Sequence, residues 1–319
     1  VLKNRNLLIT SVSKKVGLVK AFIKEAKKEN IKVFGADVTK DAVALYFCDN
    51  FFILPHRNDA DFLCDLVRNC KKRRIKFILP TSDGDLIFFA KNRTILSENN
   101  IEVLMSGNTS INICTSKLAF NQHCKQNGLP IPYSYDSLNL VKYPVIIKEE
   151  FSQASKGVYI AENKDQAIEI IKVLPVEKYL IQEFVLGQEY SIDAFFDNEG
   201  CVKAVLPRSR DLVVGGESVI TTSVDLPELE ILVKDLGETL NLFGHIVVQA
   251  FFHDGVVSLV EANLRFGGAS GLAFVTGVNS PKWLVEYMVG KKSYSVSDIK
   301  YNVKMFKYSS EYILGADID

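Results

Sequence analysis

Two hydrophobic periods alternate along the first hundred residues. The run 6–10 is short and apolar. Leu18, Val19, Phe22, Ile23 and Ala26 then recur at helical spacing, with Lys27 and Lys28 in the last turn. Asn30 ends that helix, and a strand over 31–36 follows. The run 51–54 is a strand stopped by Pro55, and 59–70 is amphipathic with Asn58 or Asp59 as its cap. A buried-type strand over 77–79 ends at Pro80, 85–96 is another helix, and 101–105 another strand. Strands separated by helices need crossover connections, so the pattern predicts a parallel, helix-covered sheet: a doubly wound α/β domain over 1–113.

From Cys114 onward the alternation is lost. A helix over 116–126 ends at Asn127-Gly128. Strands are predicted over 144–148, 157–161, 179–185, 189–196 and 202–206, with one helix near 164–173. Hairpins and helices mixed in this way make an α+β domain. Asn198-Glu199-Gly200 and His253-Asp254-Gly255 have the composition of hairpin turns. This second domain is set at 114–290, with subdomains 114–180 and 181–290. Residues 291–319 form a tail whose Tyr294, Tyr301, Phe306 and Tyr308 are expected to pack against it.

Composition narrows the function classes. Lys plus Arg and Asp plus Glu both number 38, so no net field attracts a polyanion, and neither nucleic acid nor an anionic membrane is an expected partner. The one dense basic run, Lys71-Lys72-Arg73-Arg74, reads as a solvated helix end. Six cysteines without a CxxC pair or a histidine at metal-ligand spacing read as reduced thiols of a cytoplasmic protein. No stretch has the length and apolarity of a bilayer span or a signal segment. The turn after the first strand, Thr10 to Gly17, lacks GxGxxG, which argues against a dinucleotide; the polar strand ends Ser11, Ser13, Asp37, Thr81 and Asp83 leave an unspecific substrate role there.

The candidate chemistry is concentrated further on. Strand alternation puts Glu261 and Asn263 on one face. Gln249, on the preceding strand, shares that face if His253–Gly255 is a three-residue loop with Gly255 left-handed, whereas a two-residue Asp-Gly loop would part them. The three-residue loop is therefore expected. Two hard oxygen ligands and a neighbouring amide suit Mg²⁺ shared with phosphates, and Arg265 on the same side offers a forked donor. Lys148 closes the apolar strand Tyr143-Pro-Val-Ile-Ile-Lys, before a small-residue loop containing Ser155 and Gly157. Such a loop can turn N–H groups onto phosphates that Lys148 neutralises. Between Gln182-Glu183-Phe-Val185 and Glu189 an apolar strand breaks and resumes, and its free backbone could meet an adenine edge. Arg208 and Arg210 root a long polar connector with Gly215-Gly216, expected to be a mobile loop over a phosphate site.

Taken in order, these pieces resemble the ATP-grasp superfamily, most closely stand-alone relatives of the carbamoyl-phosphate synthetase large-subunit ATP-binding half. The resemblance rests on Lys117 in Thr-Ser-Lys-Leu-Ala-Phe followed by Asn-Gly-Leu-Pro-Ile-Pro, on Lys148, on Gln182-Glu183-Phe-Val185 with Glu189, and on Gln249…Glu261-Ala-Asn263-Leu-Arg265. It implies a Rossmann-like pre-grasp domain followed by an ATP-grasp domain of two subdomains. Lys117 and Lys148 would contact the ATP phosphates, Glu183 and Val185 the adenine, and Glu189 the ribose. Glu261 and Asn263 with Gln249 would hold Mg²⁺, with Mn²⁺ as a substitute. Arg265 would stabilise the transferring phosphoryl group, with Arg208 or Arg210 near the substrate. The implied activity is an ADP-forming ligase joining a small carboxylate to an amine through an acyl phosphate. A phosphotransferase or carboxylase-type relative, and a nucleotide-binding module without catalysis, are the alternatives; a homodimer is left open. The loop 152–157 is poorer in glycine than the family's usual phosphate loop.

Overall fold

The computed structural model describes residues 5–151, 157–174, 178–291, 294 and 296–315. Residues 5–105 follow the predicted alternation: β1 (Asn6–Thr10), α1 (Val16–Ala26), β2 (Val33–Asp37), β3 (Asn50–Ile53), α2 (Phe62–Lys72), β4 (Ile75–Leu79), α3 (Asp83–Lys91), α4 (Arg93–Glu98) and β5 (Glu102–Val103). The strands pair in parallel in the order β3-β2-β1-β4-β5. The strand order runs outward from β1 first to one side and then to the other, so the crevice at the carboxyl ends of β1 and β4 is where such a sheet takes a ligand. The helix expected over 85–96 is two helices, because the chain breaks at Asn92, whose amide bonds back to the Phe88 carbonyl. Ser82 caps α3, its hydroxyl accepting the Asp85 N–H at 3.2 Å, and so fixes Asp83 and Asp85 in the first turn.

The chain continues through α5 (Asn108–Thr115), α6 (Lys117–Gln126), β6 (Ser134–Tyr135), β7 (Val145–Glu149), β8 (Val158–Ala161), α7 (Lys164–Val173) and β9 (Tyr179–Glu183). β6 to β9 form one antiparallel sheet in the order β6-β9-β7-β8. Val145, Ile147 and Ile181 of its odd face pack on Ala167 of α7. The even face, with Lys148 and Gln182, is turned away from that core. Next come β10 (Gln188–Phe196), β11 (Val202–Ser209), β12 (Leu212–Val214), β13 (Glu217–Thr222), α8 (Pro227–Thr239), β14 (Gly244–His253) and β15 (Val256–Asn263). The sheet β11-β10-β14-β15 buries Ile192, Ala194, Ile246 and Val248 beneath Leu229, Leu232, Val233 and Leu236 of α8. The chain closes with α9 (Gly271–Thr276), α10 (Ser280–Met288) and β16 (Lys304–Phe306), which pairs with β13.

Two further expectations are corrected. The segment 206–218 is not a long loop: Pro207, Arg208 and Ser209 finish β11, and Gly215-Gly216 is the tight turn of the β12–β13 hairpin. Its polar residues looked like solvated loop because they are satisfied by one another, as where Ser209 and Thr222 both bond Asp211. The β14–β15 turn is the second. His253 pairs with Val256, so the loop is the two-residue Asp254-Gly255, with φ of 47° and 81°. Both central residues are left-handed, which matches the twist of the flanking strands.

Candidate active site

A two-residue turn alone would have put Glu261 on the wrong face of the sheet. Pairing starts with His253 opposite Val256 and reaches Ala250 opposite Leu259. The register then shifts, so that Gln249 faces Glu261 and Val247 faces Asn263. Val260 is the extra residue of a β-bulge, and the bulge rather than the turn brings Gln249 and Glu261 to one face. Glu189, Ser191 and Asp193 of β10 lie on the same face, Ser191 being opposite both Gln249 and Arg208.

Hydrogen bonds tie this row together. With its amide oriented to satisfy both ends, Gln249 donates to Glu261 Oε1 at 2.7 Å and accepts from Arg210 Nη1 at 2.9 Å. Asn263 Nδ2 donates to the same Glu261 oxygen at 2.9 Å. Arg210 also lies 3.1 Å from Glu189 and donates to the Gly216 carbonyl at 3.1 Å, so the β12–β13 turn is pinned over the row. Burial pushes the Glu189 carboxyl up, against the pull of Arg210. One carboxylate flanked by two amide oxygens fits a hard cation that shares phosphate oxygens, once the amides turn their oxygens inward.

Across the cleft stand two lysines. Lys148 is buried and donates to Gln182 Oε1 at 2.8 Å, while Gln182 Nε2 donates to the Pro132 carbonyl at 3.4 Å. Burial draws the Lys148 ammonium down to about 8, opposed by Glu261 and Glu189. Gln182 therefore reaches the site as the partner of Lys148. Lys117 opens α6, where Ser116 caps the helix by accepting from Ala119 N–H and donates to Glu150 at 2.6 Å. Burial lowers the Lys117 ammonium too, with Glu261 and Asp83 opposing. A narrow slot lined by Lys117, Phe120, Ile131, Lys148, Leu180 and Val260 lies between the two sheets. At its edge Glu183 is locked by its backbone and carboxylate to Tyr133 (2.9 and 2.8 Å). Among the described residues, Val185 has no backbone hydrogen-bond partner. Gly157 is left-handed and its carbonyl accepts from Glu149 N–H at 2.8 Å; a Cβ there would meet the Glu149 carboxylate at 2.7 Å. Ser155 lies outside the described residues.

The three arginines part company. Arg265 forks onto Asp83 of the first domain, Nε to Oδ1 at 2.5 Å and Nη2 to Oδ2 at 2.8 Å, and sits 3.4 Å from Asn263 Oδ1. Arg210 faces the cleft row. Arg208 lies further along the same face, 3% exposed, with Nε 2.6 Å from Asp193 Oδ2. The other Asp193 oxygen meets His245 Nε2 at 3.0 Å and the Ser270 hydroxyl at 2.5 Å, and His245 Nδ1 meets Ser280 at 2.7 Å. Burial pushes Asp193 up, but Arg208 and His245 outweigh it and hold the carboxyl well below the usual range. This cluster was not foreseen, nor was the Asp83 clamp. No local pattern links residues 80 or 180 positions apart. Lys15 was also missed: it bonds the Ser11 carbonyl at 2.7 Å, is depressed by burial, and feels Asp85, Arg265 and Glu217.

This architecture, two antiparallel sheets facing each other across a lysine- and carboxylate-lined cleft behind a doubly wound domain, defines a nucleotide-clamping enzyme class. A family model described as PylC-like, N-terminal domain matches residues 7–104. One described as ATP-grasp in the biosynthetic pathway with Ter operon matches 175–310. A carbamoyl-phosphate synthase of Methanobrevibacter smithii is 23% identical over 317 residues, covering 91% of this chain and 82% of the relative. A phosphoribosylamine–glycine ligase of Fusobacterium nucleatum is 23% identical over 256 residues, covering 63% of this chain and 59% of that one. The biotin carboxylase domain dimer of Hydrogenobacter thermophilus 2-oxoglutarate carboxylase, solved with MgADP and bicarbonate, superposes with a TM-score of 0.73 at 15% identity over 94% of this chain and 73% of that chain. These matches support a place for the chain among ATP-grasp relatives of the carbamoyl-phosphate synthetase large subunit.

Proposed function

We propose that this chain is an ADP-forming carbon–nitrogen ligase, binding Mg²⁺·ATP in the cleft between the two antiparallel sheets and using it to join a small carboxylate to an amine. The observation that carries the reading is the convergence of Lys117, Lys148 and Glu189 on Glu261, the residue that Gln249 and Asn263 also bond. Lys148 and Lys117 neutralise the phosphates, which they bind together with Gly157. The backbone at Glu183 and Val185 meets the adenine, and Glu189 the ribose hydroxyls. Gln182 orients Lys148.

Glu261, Asn263 and Gln249 hold the cation, which supplies charge neutralisation across the phosphates when bound; Mn²⁺ would fit the same oxygens. Arg265 steadies the phosphoryl group while the substrate carboxylate oxygen attacks the γ-phosphorus and the bond to the β,γ-bridging oxygen breaks, releasing ADP. The amine nitrogen then attacks the acyl carbon, phosphate leaves with the C–O electron pair, and the nitrogen loses a proton. Alignment and charge neutralisation are what this step demands of a protein. Arg210 faces the substrate side, and Arg208 positions the sheet beneath it through Asp193.

No helix among the described residues is long and apolar enough to cross a membrane. The six unpaired cysteines fit the reducing cytoplasm, and a homodimer is the assembly to test. The experiment is phosphate release from ATP, screened with pooled amino acids and small organic acids. Acceptor-dependent release that Glu261→Gln lowers by at least about a hundredfold supports the reading. Unchanged Mg²⁺-dependent turnover in that variant overturns the metal assignment. Tight ADP binding with no acceptor-dependent turnover overturns the ligase.

A further inference from the structure

Arg265 is the residue assigned to the transferring phosphoryl group, yet its fork is taken. Both nitrogens on one edge of the guanidinium meet both oxygens of Asp83, at 2.5 and 2.8 Å. That is the arrangement a substrate carboxylate would adopt on an arginine, because the planar fork matches any carboxylate bidentately. Asp83 comes from the other domain, at the first turn of α3. The pair is not sealed in: the two side chains are 22% and 15% exposed, so an incoming anion can exchange with Asp83.

The same turn reaches a second feature. Asp85, two residues on, bonds Arg57 at 2.8 Å and Thr10 at 2.8 Å, and lines a cavity of ≈ 170 Å³ at the carboxyl ends of β1 and β2, with Ser11, Asp37 and His56 at its polar wall. That volume suits a small metabolite, since about 150 Å³ holds a benzene-sized ligand. The turn Ser82–Asp85 thus touches the cavity on one side and the phosphoryl-site arginine on the other.

We infer that Asp83 is an internal placeholder: it occupies the Arg265 fork in the resting protein, and a substrate carboxylate takes its place there, so that Arg265 is drawn from Asp83 to the carboxylate and the phosphoryl group it accepts only when an acceptor is present. The inference rests on the ATP-ligase reading above. Its consequence is suppression of wasteful hydrolysis, in which water attacks the γ-phosphorus, ADP leaves and a proton is released. Asp83 is on this account a positioning residue.

The test is phosphate release by the full chain with Mg²⁺·ATP and no acceptor. Asp83→Asn and Asp83→Ala should each raise the basal rate about tenfold or more, while Asp83→Glu, which keeps a carboxylate on the fork, should stay near wild type. A gain of activity is not what a merely damaged fold produces. Rates unchanged or lowered in both variants, with melting temperatures intact, overturn the inference. ATP binding to the wild-type chain is measured alongside. Binding without a rate change in the variants removes only the placeholder; no Mg²⁺·ATP binding in the wild type removes the nucleotide reading itself, and the placeholder with it.

Discussion

Lys148 is 8% exposed and its ammonium, ordinarily near 10.5, is drawn down to about 8 by burial, against the pull of Glu261 and Glu189. At about 1.4 kcal/mol for each tenfold change in proton affinity, the charged form costs on the order of 3 kcal/mol in the free protein. The sign follows from linkage. Below pH 8 the lysine is charged in both folded and unfolded chains, and the folded state bears the full cost. As pH rises from 8 to 10.5 the folded lysine is neutral while the unfolded one still holds its proton, and the cost disappears. A triphosphate laid against Lys148 restores the preference for the ammonium. Nucleotide binding should therefore take up protons, on the order of 0.5 per site at pH 8, where half the lysines start neutral. At that pH the phosphate groups are already ionised, so the uptake belongs to the protein. Calorimetric titration of Mg²⁺·ATP in two buffers of different ionisation enthalpy measures it directly. Affinity should then fall with rising pH above 8, approaching about tenfold per pH unit above roughly pH 9. Lys148→Met should abolish the uptake and weaken binding. Zero proton uptake at pH 8 to 9 with flat affinity would refute the argument.

Other outcomes follow from the same geometry. Arg208→Met leaves the buried Asp193 without its arginine and should cost about 3–5 kcal/mol by denaturant unfolding, far more than loss of an exposed arginine would. Arg210→Gln releases Glu189 and Gln249 together, so nucleotide affinity should drop about tenfold or more with the fold intact, as read by binding titration. Gly255→Ala adds only backbone strain, because φ is 81° and nothing lies within 4 Å of the new Cβ. It should cost about 1 kcal/mol and leave turnover unchanged.

Periodicity alone determined the parallel first domain, because alternating helical and strand patterns leave few ways to bury both faces of a sheet. The order of Lys117, Lys148, Glu183, Glu189 and Glu261 was likewise legible as an ATP-grasp sequence, since each of those residue types is tied to a strand or helix end. What the sequence misjudged were matters of register and long-range pairing. The expected three-residue turn is a two-residue one, and the shared face of Gln249 and Glu261 comes instead from the bulge at Val260. A bulge has no compositional mark of its own, because it depends on what the neighbouring strand offers. The polar segment at 206–218 reads as a loop in the sequence because its charges find their partners only across strands. Asp83 on Arg265 and Asp193 among Arg208, His245 and Ser270 join positions far apart in the chain. Local pattern determined most of the elements and picked out candidate ATP residues; only the tertiary structure decided which charges neutralise one another, because that depends on distances the chain's order does not contain.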